Sequence, residues 1–511
     1  MKIVFLSYSG YPQHSDNFIP NPGPAILATL CRNHGHSAKV LDLNRPEIFS
    51  QCPDEHSLTD YLIAEFEQDL PDVLGITTWF NAYQDTAVIL QKLRRRFPAL
   101  FVVGGGYHAT WFEEDFLRTL PEITGNDKPV FDMLLLGEGE KPMLELLEHL
   151  AGRRKKKEIA GALYVEGGSI RRGAPQIFHD LTDESVSPLP DWSLYGQKEG
   201  MWPILMLDLS RGCFNRCIMC GHEAMSGHGI RPRNIRKVVD SMKSDHQKFG
   251  VSHFRVTSSM LSLELIESFT SEILTRTDFP ALTWSCFSEA HELKGRQDLL
   301  ERMKLAGCLA IFFGLESADN RVLGRLNKRN TREDLEEVIL GTKKAGIKAI
   351  ASIMVGNPGE SEESLKSTVD FILRVRPDSV PSVPIAPFPR TELTAHPERH
   401  GYVLNPLWKK AMMTMRVEHI QDPDKWTYPA DFYKHSSGKS FLDYSKICGD
   451  ISRKLYDHGI SRVSDEVYLM ADLLKKDPNT VYLEHSTKLK ERDMNFFSRE
   501  IQKCREKSDE I

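Results

Sequence analysis

The sequence predicts an α/β protein in two alternating segments, followed by a mostly helical C-terminal part. Three observations carry this. In the first 150 residues, five short apolar runs are separated by helix-length amphipathic stretches. The same alternation restarts near residue 203. After Pro389 it stops. Near-continuous Val/Ile/Leu runs alternating with helices are what a parallel sheet covered on both faces requires.

In chain order, strands are expected at Ile3–Leu6, Ala38–Leu41, Val73–Thr77, Phe101–Val103 and Met133–Leu136. Helices are expected at Ala25–Asn33, Leu58–Gln68, Ala82–Phe97 and Lys141–Leu150. Five such units suggest a doubly wound domain, which binds ligands beyond the carboxyl ends of its strands. Those ends read Ser7-Tyr8-Ser-Gly, Thr77-Thr-Trp, Gly104-Gly105-Gly106-Tyr-His108 and Gly137-Glu138-Gly-Glu140. Glycine lets a backbone pass close to a bulky ligand and permits φ > 0, so several small turns in succession point to a shared ligand edge. Arg153-Arg-Lys-Lys-Lys157 reads as a solvated charge run. Residues 158–200 hold β-like segments and then a proline-punctuated connector, Ser187-Pro-Leu-Pro-Asp-Trp192.

The second alternation places strands at Ile204–Leu209, His253–Val256, Thr283–Phe287, Leu309–Phe313, Ala349–Val355 and Ser379–Ile385, with five helices between them. Six units are too few for an eight-unit barrel, leaving an open partial barrel or another α/β sheet. Residues 400–511 read as mostly helical, with aromatic residues Trp426, Tyr428, Phe432 and Tyr433.

Composition bounds the function. The chain has 511 residues, a length that predicts about three or four domains. Sixty-five basic against 71 acidic residues give a net charge of −6, which argues against a nucleic-acid scaffold. No stretch approaches the roughly 20 apolar residues of a membrane span, and the first residues turn polar too soon for a signal peptide. Nine cysteines at low density point to a reducing cytoplasm, where clustered thiols serve as ligands.

Three of those cysteines fall in Ser210-Arg-Gly-Cys213-Phe-Asn-Arg-Cys217-Ile-Met-Cys220. Zinc sites usually supply four ligands, which here would need His222 or His228. Three thiolates suit a four-iron cluster with one iron left open for a substrate or cofactor.

Cys213-x-x-x-Cys217-x-x-Cys220 at the end of the first strand of a six-unit barrel resembles the radical S-adenosylmethionine enzymes. Further matches are Gly314-Leu-Glu316-Ser317, Ser352-Ile-Met-Val-Gly356-Asn-Pro-Gly-Glu360 and Pro387-Phe-Pro-Arg390-Thr-Glu-Leu393. In the last, Arg390 replaces the usual glycine. A second departure is Thr257-Ser-Ser-Met260, where relatives carry an acidic residue. The first segment is similar to the cobalamin-binding domain fused to many of these enzymes, on Asn21-Pro-Gly-Pro-Ala25, Val103-Gly-Gly-Gly-Tyr-His-Ala109 and Asp132-Met-Leu-Leu-Leu-Gly-Glu-Gly-Glu140. The Asp-x-His-x-x-Gly histidine motif of many cobalamin domains is missing. His14 and His108 are the histidines nearby, and the resemblance implies cobalt with no protein histidine on it.

The resemblance implies an N-terminal doubly wound, flavodoxin- or Rossmann-like cobalamin domain (1–155), a linker (156–200) and a partial (β/α)6 TIM barrel (201–398). A C-terminal helical domain (399–511), a packing cap or a substrate cover carrying Trp426 and Tyr433, completes it. The expected cofactors are a [4Fe–4S] cluster on Cys213, Cys217 and Cys220, S-adenosylmethionine bordered by Met219, Glu316, Ser352 and Gly356, and cobalamin beside Tyr8, Thr77, Gly104, Gly105, Gly106 and Glu138. No catalytic residue is assigned. The implied activity is methylation of a carbon centre of a small-molecule or peptide substrate through a 5′-deoxyadenosyl radical and methylcobalamin. An electron donor such as flavodoxin or ferredoxin would serve it. Alternatives are cyclisation, ring rearrangement or oxidation with the same cofactors, or a non-catalytic corrinoid or iron–sulfur sensor.

Overall fold

The computed structural model describes residues 1–10, 19–125, 129–196, 202–416, 428 and 431–508. Strands β1 (Lys2–Ser7), β2 (Ser37–Asp42), β3 (Val73–Thr77), β4 (Phe101–Gly105) and β5 (Met133–Leu135) pair in parallel, in the order β2-β1-β3-β4-β5. This is a doubly wound order whose switch point lies between β1 and β3. Ile3, Val4, Leu6, Val73, Leu74 and Val102 are buried, as a sheet covered on both faces demands. The β-like stretch after residue 158 becomes an antiparallel hairpin, β6 (Ala162–Glu166) and β7 (Ser169–Arg172), that extends the sheet from β5. Gly167 and Gly168 make its two-residue turn at φ +60° and +74°, a geometry that glycine adopts without strain.

The second sheet holds β8 (Ile204–Leu207), β11 (His253–Val256), β12 (Thr283–Ser288), β13 (Cys308–Glu316), β14 (Lys348–Val355) and β15 (Ser382–Pro384). All are parallel, in the order β8-β11-β12-β13-β14-β15. Sequential neighbours in one open parallel sheet are the partial barrel. Between β8 and β11, a short antiparallel pair, β9 (Ser210–Arg211) and β10 (Arg231–Pro232), closes the neck of the loop that carries the three cysteines. Along the barrel strands, residues such as Phe254, Trp284, Phe313 and Ile353 are fully buried, while Arg255, Phe287, Phe312, Ser352 and Met354 are half-buried. That period of two is a sheet with a packed outer face and a more open inner one.

The C-terminal part begins with an antiparallel strand pair, β16 (Tyr402–Leu404) and β17 (Tyr433–His435), set at the carboxyl ends of two barrel strands. The Tyr402 hydroxyl donates to the Gly356 carbonyl and the Tyr433 hydroxyl to the Ile385 carbonyl, the latter at 2.9 Å. Of the two roles open to this region, packing cap or substrate cover, Tyr433 takes the first: it is buried and holds the barrel. Trp426 and His14 lie outside the described residues. Helix Asp465–Leu474 packs against β11, β12 and β13. The Arg255 guanidinium donates to Asp465 at 2.7 and 2.8 Å, the Ser285 hydroxyl to the same carboxylate at 2.7 Å, and His253 Nε2 lies 2.9 Å from Asp472. Helix Met494–Ser508 returns to helix Pro46–Gln51 of the first domain. Among the described residues, no helix is long and apolar enough to cross a membrane.

Candidate functional site

The cysteine loop leaves the barrel after β8. Gly212, at φ +87°, turns it: a Cβ there would lie 2.0 Å from the Gly229 carbonyl oxygen, so the neck tolerates no side chain. Beyond the neck, Cys213 and Cys217 are half-buried and Cys220 is exposed. The Asn215 amide donates to the Cys213 sulfur at 3.3 Å, and Met260 approaches that sulfur to 3.6 Å. Burial raises all three thiols, Cys217 to about 12, while Lys328 opposes it. Among the described residues no three Cys, His, Asp or Glu side chains are gathered into a ready-made metal site. The donor set itself, three thiols on one loop beside a buried ammonium and a backbone N–H aimed at sulfur, suits a thiolate-held iron–sulfur cluster with an open iron.

Lys328 is nearly fully buried, 2.8 Å from Glu289 and 3.8 Å from Glu316. The Asn330 amide also donates to Glu289, at 2.5 Å. Burial pushes the Glu316 carboxyl up, and Lys328 draws it back. Glu316 ends β13 in the left-handed region, φ +58°, a conformation that costs about 1–3 kcal/mol and clusters at functional positions. Ser352 sits beside Gly314 in register, half-buried. Gly356 follows β14 at φ +89°, its amide donating to Glu360 at 2.6 Å, and a Cβ there would lie 2.6 Å from the Tyr444 ring. Met219 packs half-buried against the core. The structure thus brings Glu316, Ser352 and Gly356 to the carboxyl ends of adjacent strands.

Glu289 and Asn330 were missed by sequence reasoning. The readable signal was an acidic residue directly after the third barrel strand, in a chain without one after the second. That second turn works otherwise: the Ser258 hydroxyl accepts from the Leu209 and Ser210 amides at 3.0 Å, pinning the start of the cysteine loop.

In the first domain, Tyr8, Thr77 and Gly104–Gly106 all lie at the carboxyl edge of the sheet. The Tyr8 hydroxyl donates to Asp85 at 3.2 Å, and Asp85 pairs with Arg416 at 2.5 Å. Burial raises the Asp85 carboxyl, with Arg416 opposing. Gly106 has φ +93°, and a Cβ on it would lie 3.1 Å from the Thr77 methyl. Gly105, Gly106 and Thr77 are half-buried, leaving backbone accessible, which fits a broad flat ligand laid over the edge. Gly104 has a different reason to be glycine. A Cβ there would lie 2.7 Å from Phe131 and 2.8 Å from Leu134, so packing alone accounts for it.

Two residues from the same strand ends are buried against protein partners. His108 is buried among Tyr83, Phe112 and Phe116, and burial lowers its imidazole to about 3. Glu138, expected beside cobalamin, is 2% exposed and gives both carboxylate oxygens to Arg231, at 2.5 and 3.0 Å. A buried carboxylate needs cations, and the barrel domain supplies them.

The two sets of strand ends meet. Helix Tyr107–Phe112, which follows β4, lies on the cysteine loop: Trp111 Nε1 donates to the Gly221 carbonyl at 2.9 Å, and the Tyr107 hydroxyl is 3.1 Å from His222 Nδ1. His222 also contacts the Ser259 hydroxyl, so its ring is engaged by hydroxyl groups.

Comparison with known proteins follows the same order. The B12 binding domain model matches residues 13–147 and the Radical SAM superfamily model residues 207–372. An uncharacterized methyltransferase of Pyrococcus horikoshii is 26% identical over 408 residues, covering 78% of this chain and 84% of the relative. Cytidylyl-2-hydroxyethylphosphonate methyltransferase of Streptomyces wedmorensis is 23% identical, covering 79% and 82%. The radical S-adenosylmethionine methyltransferase TsrM of Kitasatospora setae, solved with cobalamin and a [4Fe–4S] cluster, shares the fold at TM-score 0.66 and 16% identity, over 98% of this chain and 99% of that one. With both domain models matching in the order the fold displays, and the cysteine triad at the mouth of the barrel, the chain belongs to the radical S-adenosylmethionine enzymes that carry an N-terminal cobalamin-binding domain.

Proposed function

We propose that the protein is a cobalamin-dependent radical S-adenosylmethionine methyltransferase acting on a carbon centre of a small-molecule or peptide substrate. The observation that carries this reading is the convergence of the two ligand edges. The β4 turn and its helix sit on the cysteine loop, so groups held by either domain share one space. The methyltransferases among its relatives support the reaction class.

When bound, the cluster, S-adenosylmethionine and cobalamin supply one-electron cleavage of a sulfonium and delivery of a methyl group; the protein places them and excludes water. Cys213, Cys217 and Cys220 hold the cluster. Glu316, Ser352 and Gly356 border S-adenosylmethionine, with Met219 packing nearby. The buried Lys328–Glu289 pair presents a fixed charge distribution to that space and holds it without reorganisation. Thr77 and the Gly105–Gly106 backbone flank the corrin, and the Tyr8–Asp85–Arg416 chain stiffens the turn beside it. An external one-electron donor such as flavodoxin or ferredoxin completes the system. A reducing, cytoplasmic setting would keep the three loop thiols available as ligands.

The test is anaerobic reconstitution followed by product mass. A gain of one methylene unit is expected; an unchanged or dehydrogenated mass assigns the chain to cyclisation or oxidation instead. Cys217→Ala should abolish 5′-deoxyadenosine formation, and retained cleavage would contradict the cluster assignment.

A further inference from the structure

The neck of the cysteine loop carries an electrostatic problem. Arg211 and Arg231 are directly opposite each other in the β9–β10 pair. Like charges facing across an antiparallel pair destabilise it. Both are largely buried, at 15% and 21% side-chain exposure, so water screens them little. Arg233, 2% exposed, adds a third cation.

The acids that balance them come from two places. Asp208, on the barrel, lies 2.9 Å from Arg211 and 3.3 Å from Arg233. The others come from the turn after β5 in the first domain. Glu140 is 2.7 Å from Arg211, and Glu138 forks onto Arg231 while lying 3.7 Å from Arg211. Glu138 therefore sits between the two opposed arginines. Arg231 also donates to the Ser226 carbonyl, inside the loop, at 2.9 Å and to the His179 carbonyl at 2.7 Å. Three cations meet three anions, and two of the anions belong to the other domain.

We propose that Glu138 and Glu140 are positioning residues for the cysteine loop. The first domain, through these two carboxylates, closes the neck at Arg211 and Arg231 and so sets the cradle of Cys213, Cys217 and Cys220. The inference rests on the reading that those cysteines hold the cluster. It adds that the cradle is built across a domain boundary, by residues outside the cysteine loop itself.

The test uses the full-length chain. In the apo protein, Glu138→Gln/Glu140→Gln should speed hydrogen–deuterium exchange of peptides spanning 212–230 at least tenfold. Exchange in β1, β3 and β4 should stay within twofold of wild type, and cobalamin should bind at wild-type stoichiometry. In the reconstituted protein the same variant should carry less than half the wild-type iron and lose the shift of the reduced-cluster resonance spectrum that S-adenosylmethionine induces. Glu140→Asp, which keeps the charge, should restore exchange to within threefold. Wild-type exchange across 212–230 in the double variant overturns the proposal. Should that variant fail to fold, Arg231→Lys keeps the charge but loses the fork: fivefold faster exchange is expected, and unchanged exchange overturns the proposal equally. Cys217→Ala separates the two readings. Retained iron there removes the cluster assignment, while the exchange result, which needs no cluster, still decides the role of the glutamates.

Discussion

Arg390 stands at φ +62°, in the left-handed region that favours glycine, and its side chain reaches the other domain. It pairs with Glu113 at 2.7 Å and donates to the Thr110 carbonyl at 3.1 Å. Glu113 is itself at φ +48°, so both partners hold strained backbones. A left-handed non-glycine residue costs about 1–2 kcal/mol. An ion pair with a side chain 37% exposed returns about 0–1 kcal/mol after screening. The two nearly cancel, which predicts an order among variants. Arg390→Ala keeps the strain and loses the contacts, whereas Arg390→Gly loses both. In urea titrations Arg390→Gly should therefore be the more stable by about 1 kcal/mol. The reverse order would show that strain at this position is negligible.

Among elements, the turn after β14 is organised by its own acid. Glu360 accepts from the Gly356 amide at 2.6 Å and from the Asn357 side chain at 3.2 Å, and burial lifts its carboxyl to about 7. The sign follows from proton linkage. The folded state holds its proton more tightly than the unfolded chain, so the stability it contributes is full below about pH 4 and is lost as pH rises through about 7. Glu360→Gln removes that dependence while keeping an acceptor oxygen. It should be more stable than wild type at pH 8, by an amount on the order of 2–3 kcal/mol, with the advantage gone near pH 5. Melting midpoints at the two pH values check this, and a constant difference would place the shift elsewhere.

The parallel strands of both sheets and the cysteine loop were legible in the sequence, because apolar period and motif spacing are local properties. What Glu138, His108 and Tyr433 do was not. Glu138 is defined by Arg231, 93 positions away, and Tyr433 by a carbonyl 48 positions away. His108 lies in the first turn of a helix, and only the packing of Tyr83, Phe112 and Phe116 decides which way its ring faces. Gly104 marks the converse case. A glycine run that suggests ligand approach contains one member that merely makes room for Phe131.

At the scale of the molecule, the C-terminal part ties the two domains together. Lys409 pairs with Asp115, Lys410 with Glu122 and Arg416 with Asp85, all in the first domain, while helix Asp465–Leu474 fastens to the barrel. Helix Met494–Ser508 then packs on helix Pro46–Gln51 of the first domain, and its Phe497 and Ile501 are buried. Each such side chain stabilises by about 1.5–3 kcal/mol. Deleting residues 494–511 should lower the thermal midpoint by about 5–10 °C and split one transition into two, the first belonging to the cobalamin domain. A single unshifted transition in calorimetry would show that this helix is not part of the clasp.

The opposed arginines also impose an order on biosynthesis. Glu140 precedes Arg211 by 71 positions (211 − 140), which at about 5–20 residues per second is on the order of 4–14 seconds of translation. The carboxylates are thus exposed to the ribosome exit, and their sheet can fold, before the loop they neutralise has been made. A rearrangement of the gene that placed the barrel first would deliver the cysteines to the cell with their neck still repelling itself, open to oxidation until the second half of the chain arrived.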